Sequence, residues 1–462
     1  MVATLGPASE DDDTLRAILS AGANVVRLNF AHGDPDRHSR NGARVRQIAA
    51  ELGLNVGILV DLPGPKMRTG EFINGAAELP TGGPFLLTAE QVEGDERRVS
   101  TTVPRLSELV SVGDEIYLAD GEVVLQVERV EGDDVHTRVE RGGVVRSRKG
   151  MHLPHAEVGL EAFTEQDRRV LATALAMGTD LIGLSFVRDA EDIRRARAEL
   201  PARSVRPHLV AKIETASAAE RIDEIVAEAD AVMVARGDLG IQTPLRRVPL
   251  LQKQIIGACN RAGKPVITAT EMLESMTENP LPSRAEAADV ANAVIDGTDA
   301  LMLSEETAVG RYPQEAVTTM SAIAVAAEEG GATNRIEDLP SERTGDRVAW
   351  AVAHAAAEAA EDLEAAAILC VTATGSTARR VAAYRPRMRI VALVENEECL
   401  GALALAWGVT AISLPPGEDL VSRVVTGARA GGLIEAGDLI VVVAGTPGPR
   451  AGATDYLRVA RA

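Results

Sequence analysis

The segment that decides the fold is residues 208–214, His-Leu-Val-Ala-Lys-Ile-Glu, an apolar run that ends in charged side chains. In a β-strand successive side chains alternate between the two faces, so Lys212 and Glu214 point the same way and Ile213 points to the other face. A lysine and a glutamate at the end of a buried strand are costly to desolvate unless they pair or bind a ligand. The segment therefore predicts either a salt bridge at a strand end or part of a polar site.

Similar apolar runs recur along the chain and alternate with amphipathic stretches of helical periodicity. This alternation is typical of βα units in a parallel sheet, and eight units predict an α/β fold, the (β/α)8 TIM barrel. The predicted barrel strands are residues 2–5, 24–30, 56–62, 181–186, 208–214, 231–235, 265–270 and 300–304. The predicted helices include residues 12–21, 43–52, 165–176, 190–199, 218–227, 250–262 and 283–295.

Two parts of the chain break this rhythm. Residues 71–150 contain short, alternating and glycine-rich runs, which are typical of antiparallel β structure, so we predict a small β-barrel domain inserted after the third barrel strand. After residue 330 the chain starts a separate α/β domain, 331–462, with predicted strands at 366–372, 389–394, 410–414 and 438–443. The catalytic barrel is then predicted to comprise residues 1–70 and 151–330.

Composition limits the possible partners. The chain has 462 residues, which predicts two or three domains, and a net charge of −20, which argues against nucleic acid or an anionic membrane as a partner. No apolar run approaches the ~20 residues of a membrane span, and the first residues lack the basic and apolar regions of a signal peptide. We therefore expect a cytoplasmic protein.

Polar residues gather where the predicted barrel strands end. In a (β/α)8 barrel the active site lies at the carboxyl ends of the strands. Turns and helix caps explain any one of these residues, but five strands with such ends at one barrel mouth predict a functional site. The residues are Arg27 and Asn29 (second strand), Asp61 and Arg68 (third), Lys212 and Glu214 (fifth), Arg236 and Asp238 (sixth) and Thr268 and Thr270 (seventh).

These residue types indicate a class of reaction. Glu214 and Asp238 offer the hard oxygen ligands that suit Mg²⁺, which commonly binds one or two carboxylates and keeps positions for substrate oxygens. Arg27, Arg68 and Lys212 are the cations that a phosphoryl group needs as its charge redistributes. The chain has no GxxxxGK[ST] loop. The combination indicates phosphoryl transfer by positioning and electrostatic stabilisation.

Over almost its whole length the chain resembles pyruvate kinase. The resemblance implies a barrel, a β lid inserted after the third strand, a C-terminal domain for effector binding and oligomerisation, and a homotetramer. The matching segments are TLGPAS (4–9), VRLNFAHG (26–33), GPKMRTG (64–70), AKIE (211–214), VARGDLGI (234–241), ATEMLESM (269–276), RAEAADVANAV (284–294) and MLSEETA (302–308).

The resemblance also implies a reaction and the residues that perform it. Phosphoenolpyruvate and ADP would give pyruvate and ATP, a step of glycolysis, with Mg²⁺ or Mn²⁺ held by Glu214 and Asp238. Lys212 would stabilise the phosphoryl group and the developing enolate, and Arg27 would contact the transferring phosphate, so both would be catalytic.

The substrate carboxylate and the nucleotide have their own implied contacts. The backbone at Gly237 and Asp238 and the hydroxyl of Thr270 would hold the carboxylate, and Thr270 also lies where the family protonates the enolate. The family's nucleotide-contact positions are occupied here by Pro7, Asn29, His32, Arg68 and Lys149.

The monovalent-cation region departs from the family pattern. Many members bind K⁺ through an Asn, a Ser hydroxyl, an Asp and a Thr carbonyl; Asn29 and Asp61 are present, but Ala31 and Leu62 replace Ser and Thr. Members that need K⁺ tend to carry Glu where this chain has Lys66, whose ammonium could serve as an internal cation. We therefore predict activity that does not require K⁺. The alternative is that Lys66 is a solvated loop lysine.

The C-terminal domain carries a loop rich in hydroxyl groups between a predicted strand and helix. Such groups at a helix N-terminus make an anion site, and the family binds phosphorylated effectors near this loop. The alternative is an ordinary helix N-cap by Ser376 or Thr377. The candidate residues are Thr372, Thr374, Gly375, Ser376 and Thr377.

Two other functions stay open from the residues alone. A metal-dependent barrel lyase or aldolase acting on pyruvate-like acids needs the carboxylates, but it does not need the nucleotide positions or the inserted domain. A catalytically weakened paralogue that senses sugar phosphates is the non-enzymatic alternative. Loss of Lys212, Glu214 or Asp238 would favour it, and all three are present.

Overall fold

A closed barrel of eight parallel strands forms the largest part of the molecule, which confirms the predicted fold class. The computed structural model describes residues 1–65, 67–103, 105–119, 121–153, 162–201, 206–330, 347–445 and 454–462. The barrel strands, which we number first to eighth along the chain, are Val2–Thr4, Val25–Asn29, Gly57–Asp61, Leu181–Leu184, His208–Ile213, Ala231–Ala235, Val266–Ala269 and Ala300–Leu303. The first strand pairs with both the second and the eighth, so the sheet has no free edge.

The interior of the barrel changes from apolar to polar along each strand. Val2, Val25, Leu59 and Val210 belong to one buried cluster inside the barrel. Two residues further along the same strands, on the same face, stand Thr4, Arg27, Asp61 and Lys212. The inward-facing side chains are therefore apolar at the amino ends of these strands and polar at their carboxyl ends.

Helices surround the barrel and bury their apolar sides against the strands. The predicted helix 43–52 is the second half of a longer helix, Pro35–Glu51, whose polar first turns hide the helical pattern but which begins with an Asp34 cap and a proline at its start. The predicted helix 218–227 is divided at Arg221. The barrel helices are Asp12–Ser20, Pro35–Glu51, Glu165–Ala176, Ala190–Ala198, Ala216–Glu220, Ile222–Glu228, Arg236–Gln242, Val248–Ala262, Arg284–Ile295, Glu305–Ala308 and Pro313–Glu329.

Between the third and fourth barrel strands the chain builds separate β structure with its own apolar core, which includes Phe85, Leu87 and Ile116. Ala76–Leu79 pairs with Gly143–Arg146 in a two-stranded sheet. Most pairs in the other sheet are antiparallel, but its edge pair is parallel. The predicted domain boundaries stay a prediction. The second sheet contains Pro84–Thr88, Arg98–Ser100, Glu115–Leu118, Val123–Glu131, Asp134–Arg141 and Met151–His152.

The C-terminal part forms a five-stranded sheet with helices on it. Four strands are parallel, and the edge strand Tyr456–Arg461 runs antiparallel. The sequence does not predict that strand, because its exposed, arginine-containing face hides the apolar alternation. The parallel strands are Ala367–Thr372, Arg389–Val394, Val409–Ser413 and Leu439–Ala444, and the helices are Arg347–Asp362, Ser376–Ala382, Leu400–Leu403 and Leu420–Ala430.

This C-terminal part closes the amino end of the barrel. Ala402 and Leu405 join the apolar cluster inside the barrel, and Asn55 donates a hydrogen bond to the carbonyl oxygen of Leu400 at 2.8 Å. Gly57 lies so close to Gly401 that a Cβ atom at residue 57 would collide with the carbonyl oxygen of Gly401. Among the described residues, no helix is both long and apolar enough to cross a bilayer.

Candidate active site

Lys212 lies at the centre of the polar end of the barrel. Its ammonium group lies 2.9 Å from the Glu214 carboxylate and 3.2 Å from the Asp61 carboxylate, and it donates a hydrogen bond to the Ser185 hydroxyl at 2.7 Å. Lys212 is 8% exposed and Glu214 1% exposed. The prediction that Lys212 and Glu214 share one face is confirmed, and their pair lies inside the barrel rather than on the surface.

Asp61 joins Lys212 to Arg27. The Arg27 guanidinium donates to Asp61 Oδ2 at 2.9 Å from Nε, and its Nη2 lies 2.7 Å from the same oxygen. Arg27 Nη1 also donates to the Thr4 hydroxyl at 3.2 Å. Burial alone would raise the pKa of Asp61, but Lys212 and Arg27 outweigh burial and lower it. Asp61 is therefore a fixed anion that orients two cations toward the barrel mouth.

Glu214 and Asp238, the two carboxylates predicted to bind metal, influence each other electrostatically. Burial raises the pKa of Glu214, the charge of Asp238 raises it further, and Lys212 opposes both. For Lys212, burial alone would lower the pKa, but Asp61 and Glu214 outweigh it and raise the pKa above its ordinary value. Lys212 therefore stays charged, while Glu214 lies where more positive charge would be favourable.

A divalent cation beside Glu214 would supply the positive charge that stabilises its carboxylate. One oxygen of Glu214 faces Lys212 and the other accepts the backbone N–H of Phe186. Asp238 lies partly exposed at the start of the helix after the sixth strand. Within the described ranges, no cluster of three or more His, Cys, Asp or Glu side chains forms a full metal cage. Two carboxylates at an open mouth suit Mg²⁺, which keeps several positions for water and substrate.

Thr270 and Gly237 meet across the sixth and seventh strands. The Gly237 N–H donates to the Thr270 hydroxyl at 2.7 Å. Thr270 and Glu271 both adopt left-handed backbone conformations, with φ of 66° and 51°. A β-branched residue rarely adopts this conformation, and each such residue costs about 1–3 kcal/mol. The barrel mouth therefore stores strain at the residue predicted to hold the substrate carboxylate.

The predicted nucleotide residues divide into two groups. Arg68 and Lys149 lie on adjacent chain segments where the inserted sheets join the barrel: Arg68 forms an antiparallel bridge with Gly150, and the Thr69 N–H donates to the carbonyl of Lys149 at 3.0 Å. Loops after the first and second strands carry the exposed Pro7 and His32, and the half-buried Asn29 is the last residue of the second strand. Lys66 lies outside the described residues.

The sequence assigned no role to two residues of this arrangement. Ser185, at the end of the fourth strand, accepts the bond from Lys212 and donates to the carbonyl oxygen of Leu62 at 2.8 Å. Arg236 bonds to the backbone at Thr270. Ser185 was missed because it follows an otherwise apolar strand, although a hydroxyl at that position was the available signal. Arg236 was noticed at its strand end but given no role.

The hydroxyl-rich loop of the C-terminal sheet precedes the helix Ser376–Ala382. The N-cap residue is Gly375, with φ of 80° and no side-chain cap, so the alternative of a cap by Ser376 or Thr377 is wrong. Thr377 is buried and its hydroxyl lies 2.8 Å from that of Thr454, whereas Thr374 is exposed. The role of this loop as an effector site stays a prediction.

Comparison with known proteins agrees with the geometry. The family descriptions "Pyruvate kinase, barrel domain" and "Pyruvate kinase, alpha/beta domain" match residues 1–317 and 350–460. The pyruvate kinase of Geobacillus stearothermophilus is 43% identical over 99% of this chain and 79% of its own length. The pyruvate kinases of Clostridium acetobutylicum and Mycobacterium tuberculosis strain H37Rv are each 41% identical, over 99% and 100% of this chain and 98% of their own lengths. On these matches the chain belongs to the pyruvate kinase family of phosphotransferases.

Proposed function

We propose that this protein transfers the phosphoryl group of phosphoenolpyruvate to ADP, giving pyruvate and ATP, with Mg²⁺ or Mn²⁺ as the divalent cation. The observation that carries the proposal is the convergence of Arg27, Asp61, Lys212 and Glu214 at one end of the barrel, beside Asp238. This set provides two cations for the phosphoryl group and two carboxylates for a metal. The relatives of this chain that support the proposal are named pyruvate kinases.

The charges of the site account for the transfer step. A terminal phosphate oxygen of ADP attacks phosphorus, the bond from phosphorus to the enol oxygen breaks, and the leaving group departs as the enolate of pyruvate. Arg27 and Lys212 are held in place by Asp61, so they meet the migrating charge without reorganisation. Glu214 and Asp238 would hold a divalent cation, which would supply positive charge to the substrate carboxylate and the enolate oxygen.

The remaining residues hold the substrate and complete the reaction. The Gly237 N–H donates to the Thr270 hydroxyl at 2.7 Å, and that hydroxyl donates to the carbonyl oxygen of Ala269 at 2.6 Å. Both donors would turn from these partners to hold the substrate carboxylate. Proton delivery to the enolate carbon from the side of Thr270, directly or through water, gives pyruvate. Arg68 and Lys149 lie where the inserted sheets join the barrel, so closure of these sheets over bound nucleotide brings both cations to the phosphates and excludes water.

A coupled assay for pyruvate formation from phosphoenolpyruvate and ADP, run with and without Mg²⁺, tests the proposal. We expect turnover with Mg²⁺ and almost none after chelation. Pyruvate formation that does not depend on ADP would contradict phosphoryl transfer and favour a barrel lyase. Binding of sugar phosphates without any turnover would favour the sensing paralogue.

We predict that K⁺ is not required. Asp61 is neutralised by Arg27 and Lys212, the amide oxygen of Asn29 accepts the N–H of Ala31 at 3.1 Å, and Ala31 offers no hydroxyl. With tetramethylammonium as the sole monovalent cation, kcat is expected to stay within about twofold of its value in K⁺.

The matched variant for this prediction is Lys66→Glu. It is expected to create a K⁺ requirement, since family members that need K⁺ tend to carry Glu there. A large loss of wild-type activity in tetramethylammonium that K⁺ restores would show that Lys66 is an ordinary loop lysine.

The family resemblance also suggests how the protein assembles and is regulated. We expect a homotetramer, whose mass light scattering would measure. We expect a phosphorylated effector at the loop of Thr372, Thr374, Gly375, Ser376 and Thr377. Titration with sugar phosphates and AMP would change the apparent affinity for phosphoenolpyruvate if the loop binds an effector, and no change with any of them would reject it.

A further inference from the structure

Arg236 makes an unusual set of bonds behind the active site. Its guanidinium donates to the carbonyl oxygens of Ala269 at 3.2 Å, Thr270 at 2.6 Å and Glu271 at 3.1 Å. One Nη also lies 2.8 Å from the sulfur of Met272. A single planar group therefore binds the carbonyls of three consecutive residues at the end of the seventh strand, where the side chain is 11% exposed.

The backbone held in this way is the strained one. Thr270 and Glu271 are consecutive residues with φ of 66° and 51°, and a conformation of this kind persists only when its surroundings impose it. A guanidinium that binds successive carbonyl oxygens fixes the orientation of the peptide planes between them. It therefore supplies the constraint that the backbone at Thr270 needs.

A second residue fixes Arg236 itself. Asp289, in the helix Arg284–Ile295, accepts a bond from Arg236 Nη1 at 2.5 Å. Glu286 of the same helix accepts the N–H of Ser275 at 2.7 Å, in the turn that follows the strained residues. The segment RAEAADVANAV, which matched the family without an assigned task, thus anchors the turn 269–276 through two carboxylates.

We propose that Arg236, oriented by Asp289, is a positioning residue for the reaction: it holds the left-handed backbone at Thr270 so that the Thr270 hydroxyl faces the Gly237 N–H at the barrel mouth. The proposal rests on the proposed function, since it gives Thr270 a task in binding and protonation. Arg236 acts through Thr270, because its bonds go to the backbone carbonyls, whereas the Thr270 hydroxyl accepts the Gly237 N–H and donates to the carbonyl oxygen of Ala269.

A double-mutant cycle tests this path of action. Arg236→Lys keeps the charge, but one ammonium cannot reach three carbonyls and Asp289 together. We expect it to lower kcat by about 10²-fold, the size of loss that a misplacement near 1 Å produces. In a Thr270→Ala background, where no hydroxyl remains to be placed, Arg236→Lys is expected to lower kcat by less than about threefold. Equal fold losses in both backgrounds would overturn the proposal.

The matched control is Arg197→Lys. Arg197 also donates to a carboxylate, Asp230 at 3.0 Å, and to a carbonyl, Glu228 at 2.6 Å, but near the amino end of the barrel. We expect it to leave kcat within about twofold of wild type. A loss as large as that of Arg236→Lys would show a general effect of weakened barrel packing. If Arg236→Lys does not fold, Asp289→Asn in the same cycle replaces it, with an expected loss of about tenfold that also vanishes in the Thr270→Ala background.

Two readouts separate this proposal from the proposed function. Absence of pyruvate formation by the wild type would reject the function. A crystal structure of Arg236→Lys would still decide the positioning role: relaxation of residues 270 and 271 out of the left-handed region supports it, and an unchanged backbone overturns it. Affinity for pyruvate with Mg²⁺, measured by calorimetry, is expected to fall in Arg236→Lys, and an unchanged affinity would overturn the positioning role.

Discussion

Lys212→Met is expected to lower kcat by about 10³-fold or more at saturating phosphoenolpyruvate, ADP and Mg²⁺. Methionine has a similar length but carries no charge, so the phosphoryl group and the enolate lose the ammonium that Asp61, Glu214 and Ser185 hold in place. Stability should also fall, by about 3–5 kcal/mol, because two buried carboxylates lose their shared partner. Steady-state kinetics and thermal melting measure the two effects separately.

Lys253→Met is the matched control for Lys212→Met. Lys253 also pairs with a carboxylate, that of Asp296, but its side chain is 56% exposed on the outer helices. The same chemical change there is expected to leave kcat within about twofold. A kcat for Lys212→Met within tenfold of wild type would show that the ammonium is not part of the chemistry.

Glu214→Gln is expected to weaken the apparent affinity for Mg²⁺ by about 10- to 100-fold and to lower kcat at any metal concentration. Glutamine keeps the size of the side chain and can still accept the Phe186 N–H, but it removes the negative charge. Titration of activity with Mg²⁺ would measure the apparent affinity and kcat. Electron paramagnetic resonance of Mn²⁺ would measure metal binding directly.

Glu306→Gln is the comparison for Glu214→Gln. Glu306 is also a buried glutamate, in the short helix Glu305–Ala308 that follows the eighth barrel strand, and burial raises its pKa too. Its oxygens accept the N–H groups of Leu273 and Ser304, so it has a structural task. We expect a lower melting temperature and an unchanged Mg²⁺ requirement. An equal change in Mg²⁺ affinity in both variants would argue against Glu214 as a metal ligand.

The sequence was sufficient for the barrel because its signal is local. Each strand is an apolar run that ends in a polar group, and the alternation of faces correctly placed Lys212 and Glu214 together. The signal failed where an element is polar on the outside, as in the first turns of Pro35–Glu51 and the edge strand Tyr456–Arg461. An amphipathic pattern arises because one face of an element is buried, so elements with few buried residues have only a weak pattern in the sequence.

The partners of the site residues were harder to predict than the residues themselves. The sequence predicted Asp61 at the barrel mouth and in the monovalent-cation region, but not its pairs with Arg27 and Lys212 from the second and fifth strands. These pairs depend on the register between strands that are distant in sequence, which composition and spacing do not contain. The carbonyl bonds of Arg236 were missed for the same reason.

The close approach of Gly57 to Gly401 means that the third strand connects the C-terminal domain with the active site. One end touches the C-terminal domain, backbone against backbone, and the other end, roughly 13 Å away, carries Asp61 between its two cations. A Cβ atom at residue 57 would meet the Gly401 carbonyl oxygen, so any side chain there would force these two backbones apart. The displacement would fall on the strand that holds Asp61 between Arg27 and Lys212.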